Sequence, residues 1–317
     1  MIIGIDIGGT KVAAGLVETT GEITFKTRVP MVAAGSAAEG FAGVRRAVEA
    51  IYAAVPQARG AVTGIGLCAP GPLDPKTGVI LNPPNVPCWH GFPLAAETEK
   101  AFGVPAKVDN DANAAALAEY LWGAGQGYSN LFYATLGTGI GTGIVLNGKL
   151  LHGRTGSAAE GGHVTIDYRG VRCGCGKNGC IEALAAGPEI ARHAQARLAE
   201  AGASRIVELA GGREQVRAEH VGLAFREGDA AAKRILEEIA FYLTVWLGTI
   251  VDLLEPECMV VGGGVAELMS PFYAGISRDL PRWTINKRSG EIPLAMARYG
   301  ADAGIAGAAA LCGGDAA

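Results

Sequence analysis

Apolar residues alternate through "IIGIDI" at the start of the chain, the pattern breaks at Gly8, Gly9 and Thr10, and a second strand-like run follows over residues 12–17. That pattern predicts strand, turn, strand. The plan returns in "LFYATLGTGIGTGIVLNGKL", where strand-like runs over 131–136 and 144–146 flank the glycine-rich "GTGIGTG". The chain therefore reads as internally duplicated. Between these hairpins the period changes to that of a helix. Ser36 and Glu39 make a capping-box pair ahead of Phe41, Val44, Val48, Ile51 and Tyr52, which share one helix face. "VTGIGLCAPGP" predicts a further strand ending at a Pro and Gly break. Residues 112–122 predict an alanine-rich helix directly after "VDND", and residues 235–254 a long apolar helix followed by the strand "ECMVVGGGV". Strands and helices alternate in both halves, so the expectation is an α/β fold of two related lobes with a cleft between them.

Composition narrows the function classes. With 317 residues and 49% hydrophobic content, the chain has enough apolar surface for one large domain or two ordinary ones. Its longest uncharged apolar run, 239–251, falls short of the roughly 18 residues a membrane span needs. The opening segment has no basic stretch and carries Asp6, unlike a signal peptide, so a cytoplasmic protein without a membrane partner is expected. The net charge is −4 and Lys and Arg are scattered, which argues against a nucleic-acid partner.

Three glycine-rich turns follow apolar strands: Gly8, Gly9, Thr10 and Lys11; Gly137, Thr138 and Gly139; and Gly262, Gly263 and Gly264. Glycine lets backbone N–H groups close on an anion, and the threonines add hydroxyl donors. A tight hairpin accounts for any one of these turns by itself. Three in a duplicated plan point to the phosphates of ATP held by two hairpins, with the 262–264 turn beside the adenosine. "GGTK" opens a strand-like run, whereas a Walker-type lysine opens a helix, so that type of loop is disfavoured. Asp6, at the end of the first strand, is placed to orient magnesium or its waters. In "AKVDNDANAAALAE", Asp109, Asn110 and Asp111 precede a helix. Any of the three can act as a helix cap. A kinase acting on a hydroxyl also needs a carboxylate there to take the proton, with an amide beside it for hydroxyl binding.

Seven cysteines in a reducing compartment argue against a disulfide framework, and three of them fall between positions 173 and 180. His163, Cys173, Cys175 and Cys180 have the spacing H-x9-C-x-C-x4-C, with glycines that let the loop wrap. One imidazole and three thiolates match a closed, four-coordinate structural zinc site.

Together, "DIGGTK", "NDANAAALAE", "GTGIGTG", "EGGH" and "CGCGKNGCIE" resemble the ROK family of sugar kinases across nearly the whole chain. The resemblance implies the actin-like (ribonuclease H-like) duplicated ATPase fold. It implies a small lobe over 1–112, completed by a C-terminal helix near 301–313, and a large lobe over 113–300 carrying the zinc loop. It further implies Mg-ATP-dependent phosphorylation of a hexose at the 6-hydroxyl, glucose first. N-acetylglucosamine, N-acetylmannosamine, fructose or mannose are the alternative acceptors, and homodimers or homotetramers are the implied assembly. Asp111 would be the base and Asn110 would bind sugar hydroxyls, joined by Glu160, His163 and Glu182, with His163 also ligating zinc through its other nitrogen. The family also contains sugar-sensing repressors with a helix-turn-helix domain ahead of this part. Here the first phosphate strand begins at Ile2, so the regulator is the lesser expectation.

Overall fold

The structure is a computed structural model and describes residues 1–198 and 204–314. The chain forms two compact units. One joins Met1–Tyr133, Gly143–Ala159 and Ala297–Ala317; the other joins Ala134–Thr142 and Glu160–Met296.

Ten strands form two five-stranded sheets: β1 (Ile2–Ile7), β2 (Lys11–Val17), β3 (Ile23–Pro30), β4 (Ile65–Ala69), β5 (Ala106–Asn110), β6 (Leu131–Leu136), β7 (Ile140–Leu146), β8 (Lys149–Leu150), β9 (Cys258–Gly262) and β10 (Leu294–Met296). The four helices that bear on the candidate sites are α1 (Ala37–Ala54), α2 (Asp111–Trp122), α3 (Ala230–Leu254) and α4 (Ala303–Ala310). The first sheet runs β3-β2-β1-β4-β5 and the second β8-β7-β6-β9-β10. The strand order thus repeats, as the duplicated pattern predicts. Among the described residues no helix is long and apolar enough to cross a membrane.

In the first sheet β1 to β3 are antiparallel neighbours, while β4 and β5 run parallel to β1. The parallel register sets Asp6 beside Cys68 and Cys68 beside Asp109. The ends of three strands therefore meet in one row. The expected capping box is present: Ser36 N–H donates to Glu39 Oε2 at 2.7 Å and Glu39 N–H to Ser36 Oγ at 3.3 Å. All five apolar positions expected on that helix face are buried.

Helix α4 lies directly on the bare backbone of β1 and β4. A Cβ at Gly66 would stand 1.6 Å from the Ala308 carbonyl oxygen, and one at Gly4 would stand 2.0 Å from that of Ile305. Only glycine permits that approach.

Three elements depart from expectation. Strand β7 begins at Ile140, earlier than the apolar run suggests. Gly143 keeps its place in the strand because a side chain there would meet the Ala112 carbonyl oxygen at 2.7 Å. Helix α3 begins at Ala230, because Asp229 Oδ1 accepts the N–H groups of Ala231 and Ala232, both at 2.8 Å. Strand β3 is unforeseen: its residues alternate between half-buried and exposed, as an edge strand does.

Candidate active site and metal cluster

In the first unit, the ends of β1, β4 and β5 collect carboxylates, the place where open α/β sheets bind ligands. Cys68 is fully buried, and its Sγ lies 3.6 Å from Asp6 Oδ1 and 3.4 Å from the Gly304 carbonyl oxygen. Burial, and then the charges of Asp6, Asp111 and Asp109, push this thiol well above its ordinary range. Burial likewise raises Asp6, against the pull of Cys68, Lys11 and Arg28. Gly304, in the first turn of α4, has no side chain to strike it: a Cβ there would meet Asp6 Cγ at 2.5 Å.

The adjacent turn is a tight hairpin closed by the Gly8 N–H donating to the Lys11 carbonyl at 2.9 Å. Thr10 and Lys11 are exposed at its tip, and Lys11 opens a strand, as expected.

The Asp109, Asn110 and Asp111 run divides its labour. Asn110 is the cap of α2, its Oδ1 accepting Ala112 N–H at 2.9 Å. Asp109 is buried, with only 3% of its surface exposed. Its Oδ1 accepts Asn110 N–H at 2.7 Å and the Asn113 amide at 3.1 Å, while Oδ2 pairs with His152 Nε2 at 2.6 Å. Asp111, the first helical residue, is exposed and accepts Ala112 N–H at 2.8 Å. Its carboxylate therefore sits at the N-terminal, positive end of a helix dipole.

His152 is a member of this site that no local pattern announces. It lies 43 residues from Asp109, and hydrogen bonding to that carboxylate raises its pKa against desolvation and Lys76. A histidine closing the apolar pair Leu150 and Leu151 is the only clue available in the sequence.

In the second unit, the "EGGH" stretch forms a short 3-10 turn, Gly161–His163. Gly161 N–H donates to Thr142 Oγ1 at 2.8 Å, and its carbonyl accepts from the Trp246 indole at 3.0 Å. A side chain at Gly162 would stand 1.9 Å from the Ile140 carbonyl oxygen. Exposed Glu160 heads this turn, and half-buried His163 ends it. Ala159, just before it, is held at φ 63°, a strained setting that costs on the order of 1–3 kcal/mol.

The donors His163, Cys173, Cys175 and Cys180 gather within 4.8 Å of one another. Cys173 Sγ is 3.7 Å from His163 Nδ1, and Cys175 Sγ is 3.6 Å from Cys180 Sγ. Bonds of about 2.3 Å to sulfur and about 2.0 Å to nitrogen place tetrahedral zinc donors roughly 3.5–3.8 Å apart. The four residues fit that ion. Nδ1 is the nitrogen turned to the thiols, which leaves Nε2 on the other side of the ring. Burial pushes the Cys173 thiol up to about 11, whereas the Lys177 N–H beside exposed Cys175 lowers that one. The loop is pinned back on itself by Lys177 Nζ, which donates to the His163 carbonyl at 2.6 Å.

Glu182 begins the helix after the last cysteine, and its Oε2 accepts Ile140 N–H at 2.9 Å. The turn of Gly137, Thr138 and Gly139 is thereby held next to the cluster. Gly137 also accepts the Gly187 N–H at 2.8 Å. Gly262 ends β9, Gly263 turns at φ 90°, and Gly264 starts a helix, so this third turn joins strand to helix where the other two are hairpins. It abuts the second: a Cβ at Gly263 would meet the Leu136 carbonyl oxygen at 2.4 Å.

Residues 2–314 match the profile of the ROK family. The chain is 34% identical over 311 residues to a glucokinase of Thermotoga maritima, covering 98% of this chain and 96% of that one. It is also 34% identical over 317 residues to an N-acetylmannosamine kinase of Shigella flexneri, covering 99% of each. Among solved structures, a ROK family glucokinase from Streptomyces griseus in complex with glucose and AMPPNP superposes with a TM-score of 0.74 at 37% identity, covering 98% of both chains. The fold is thus the actin-like ATPase fold of these kinases, and the chain belongs to the ROK family.

Proposed function

We propose that the chain transfers the γ-phosphoryl group of ATP to the 6-hydroxyl of a hexose, with glucose as the preferred acceptor. The observation that carries this reading is Asp111, exposed at the start of α2 with its backbone braced by buried Asp109 and the Asn110 cap. Asp111 takes the proton as the sugar oxygen attacks phosphorus, and the bond from phosphorus to the bridging oxygen breaks to release ADP. Asn110 uses its Oδ1 in the cap, so its amide N–H groups are what it offers a sugar oxygen. Glu160, His163 through Nε2, and Glu182 supply further hydroxyl contacts.

The glycine turns donate backbone N–H groups to the phosphates. Asp6 would hold magnesium or its waters; when bound, that ion offsets phosphate charge. His163, Cys173, Cys175 and Cys180 would hold zinc, which when bound fixes a loop and supplies no reacting group. Ligation of that ion through Nδ1 would fix the ring of His163 and leave Nε2 to meet a sugar hydroxyl. We place the protein in the cytoplasm and read it as a homodimer or homotetramer, the assembly supported by exposed Phe241, Leu253, Trp283 and Ile285. Light scattering on a sizing column checks the assembly.

A coupled ADP-release assay over glucose, mannose, fructose, N-acetylglucosamine and N-acetylmannosamine tests the reaction. Glucose should give the highest kcat/KM. The equal identity to an N-acetylmannosamine kinase makes an N-acetylated hexose the second reading, and a clear preference for one would replace glucose while leaving the kinase intact. Absence of sugar-dependent ADP release with every acceptor would favour a non-enzymatic sugar sensor.

A further inference from the structure

The carboxylate of Glu182 faces two ways. Its Oε2 accepts Ile140 N–H at 2.9 Å, directly after the turn of Gly137, Thr138 and Gly139. Its Oε1 lies 3.8 Å from His163 Nδ1 and 3.9 Å from Cys173 Sγ, just outside the ring of metal donors. Gly139 makes this reach possible, since a Cβ there would stand 2.7 Å from Oε2. Ile140 N–H is occupied by this bond, so the turn's donors toward an anion are the backbone groups of Thr138 and Gly139 and the Thr138 hydroxyl.

Glu182 is two residues past Cys180, and its backbone therefore follows the cluster. A closed metal site with satisfied outer contacts is rigid, whereas three thiols and an imidazole without their ion are not held to one geometry. The turn is also held by the pairing of β6 with β7 on either side of it, by the Gly137 N–H bond to the Gly139 carbonyl inside it, and by the Gly187 N–H bond at its near end. At its far end, Glu182 is the link to the cluster.

We propose that Glu182 is a positioning residue that couples the metal cluster to the second glycine turn, so that metal occupancy sets nucleotide affinity as well as sugar affinity. The nucleotide half rests on the assignment of that turn to ATP phosphates. The metal then acts on both substrates through one side chain.

The test uses the full chain without sugar. Amide hydrogen exchange over residues 137–142 and calorimetric ADP affinity are measured in the zinc-loaded protein, in Glu182→Ala, in Glu182→Gln and in protein stripped with a chelator. Zinc content and thermal melting serve as controls for folding. Glu182→Ala should keep its zinc, exchange Ile140 N–H at least tenfold faster and bind ADP roughly tenfold more weakly, the scale of losing an outer-shell contact. Glu182→Gln retains an oxygen for the same N–H and should stay near the starting protein on both measures. The stripped protein should behave as Glu182→Ala does. Unchanged exchange in Glu182→Ala would overturn the tether, and unchanged exchange in folded, zinc-free protein would overturn the coupling. Faster exchange with unaltered ADP affinity would overturn the phosphate assignment of the turn, and with it the nucleotide half of the proposal.

Discussion

The row of carboxylates around Cys68 and the thiols around His163 are two ways of building a site. In the first, regular structure does the placing: parallel register lines up Asp6, Cys68 and Asp109, and the helix start presents Asp111. In the second, the donors come from turns outside any sheet, tied by the isolated bridges Thr165 to Cys180 and Arg172 to Asn178 and by scattered turn hydrogen bonds such as Gly179 N–H to the Val171 carbonyl. The strand-built corner takes its geometry from the sheet and its cover from α4. The loop-built cluster has little apolar packing of its own, its buried members being Cys173, Cys180 and Ala183, so under the proposed zinc assignment it would depend on the ion. Perturbations should therefore fail differently in the two places.

The largest effect should come from Asp109→Ala, which leaves His152, the Asn113 amide and Asn110 N–H without their acceptor. Breaking a buried pair of this kind costs on the order of 3–5 kcal/mol, which for a domain this large is roughly 10 °C in Tm. A scanning calorimetry trace within about 2 °C of the parent would mean that register alone holds the corner.

Next comes Asp111→Asn, with kcat reduced by about 10²-fold or more and the melting curve little changed, since the side chain is exposed and retains its oxygen for Ala112 N–H. Turnover within tenfold of the parent would show that the carboxylate is a helix-end residue and not the base.

On the loop-built side, Cys180→Ser should abolish stoichiometric zinc by elemental analysis and raise the sugar KM by about tenfold. Full activity in zinc-free protein would remove the metal from the account altogether.

The smallest effect belongs to His152→Gln. The bond to Asp109 raises His152 above its ordinary 6.5, so the pair stabilises the fold fully below about 6.5 and progressively less as pH climbs through the raised value. Tm should fall gently with pH over that window in the parent and stay flatter in the variant. Identical slopes would show that His152 does not titrate against Asp109.

The same contrast explains what the sequence makes legible. The β1 to β2 hairpin and α1 are local: alternation, a glycine break and the Ser36 and Glu39 pair carry them within a few residues. The cysteine cluster is legible for a chemical reason, because thiols so close together have few other uses in a reducing compartment. Strand β3 escapes notice because Lys26 and Arg28 stand on its exposed positions, so that its apolar residues look sparse. The locks on the "EGGH" turn, Thr142 and Trp246, lie 19 and 85 residues away from Gly161. Such partners meet only through tertiary packing, and no periodicity records them. The division of labour within "DND" is equally hidden, since all three side chains are acceptable helix caps and only burial separates them.

The seating of α4 on glycine backbone has a consequence for how the chain comes off the ribosome. Strands β1 and β4 emerge early, yet the helix that covers Gly4, Gly66 and Asp6 is made of residues 303–310. At roughly 5–20 residues per second, the first unit waits on the order of 10–50 seconds for that helix after β4 is synthesised. Through that interval the side of Asp6 that Gly304 will cover faces solvent, and β1 lacks a layer of its core. Chains stalled short of residue 303 should bind chaperones through this sheet, and release from them should coincide with synthesis of the last helix.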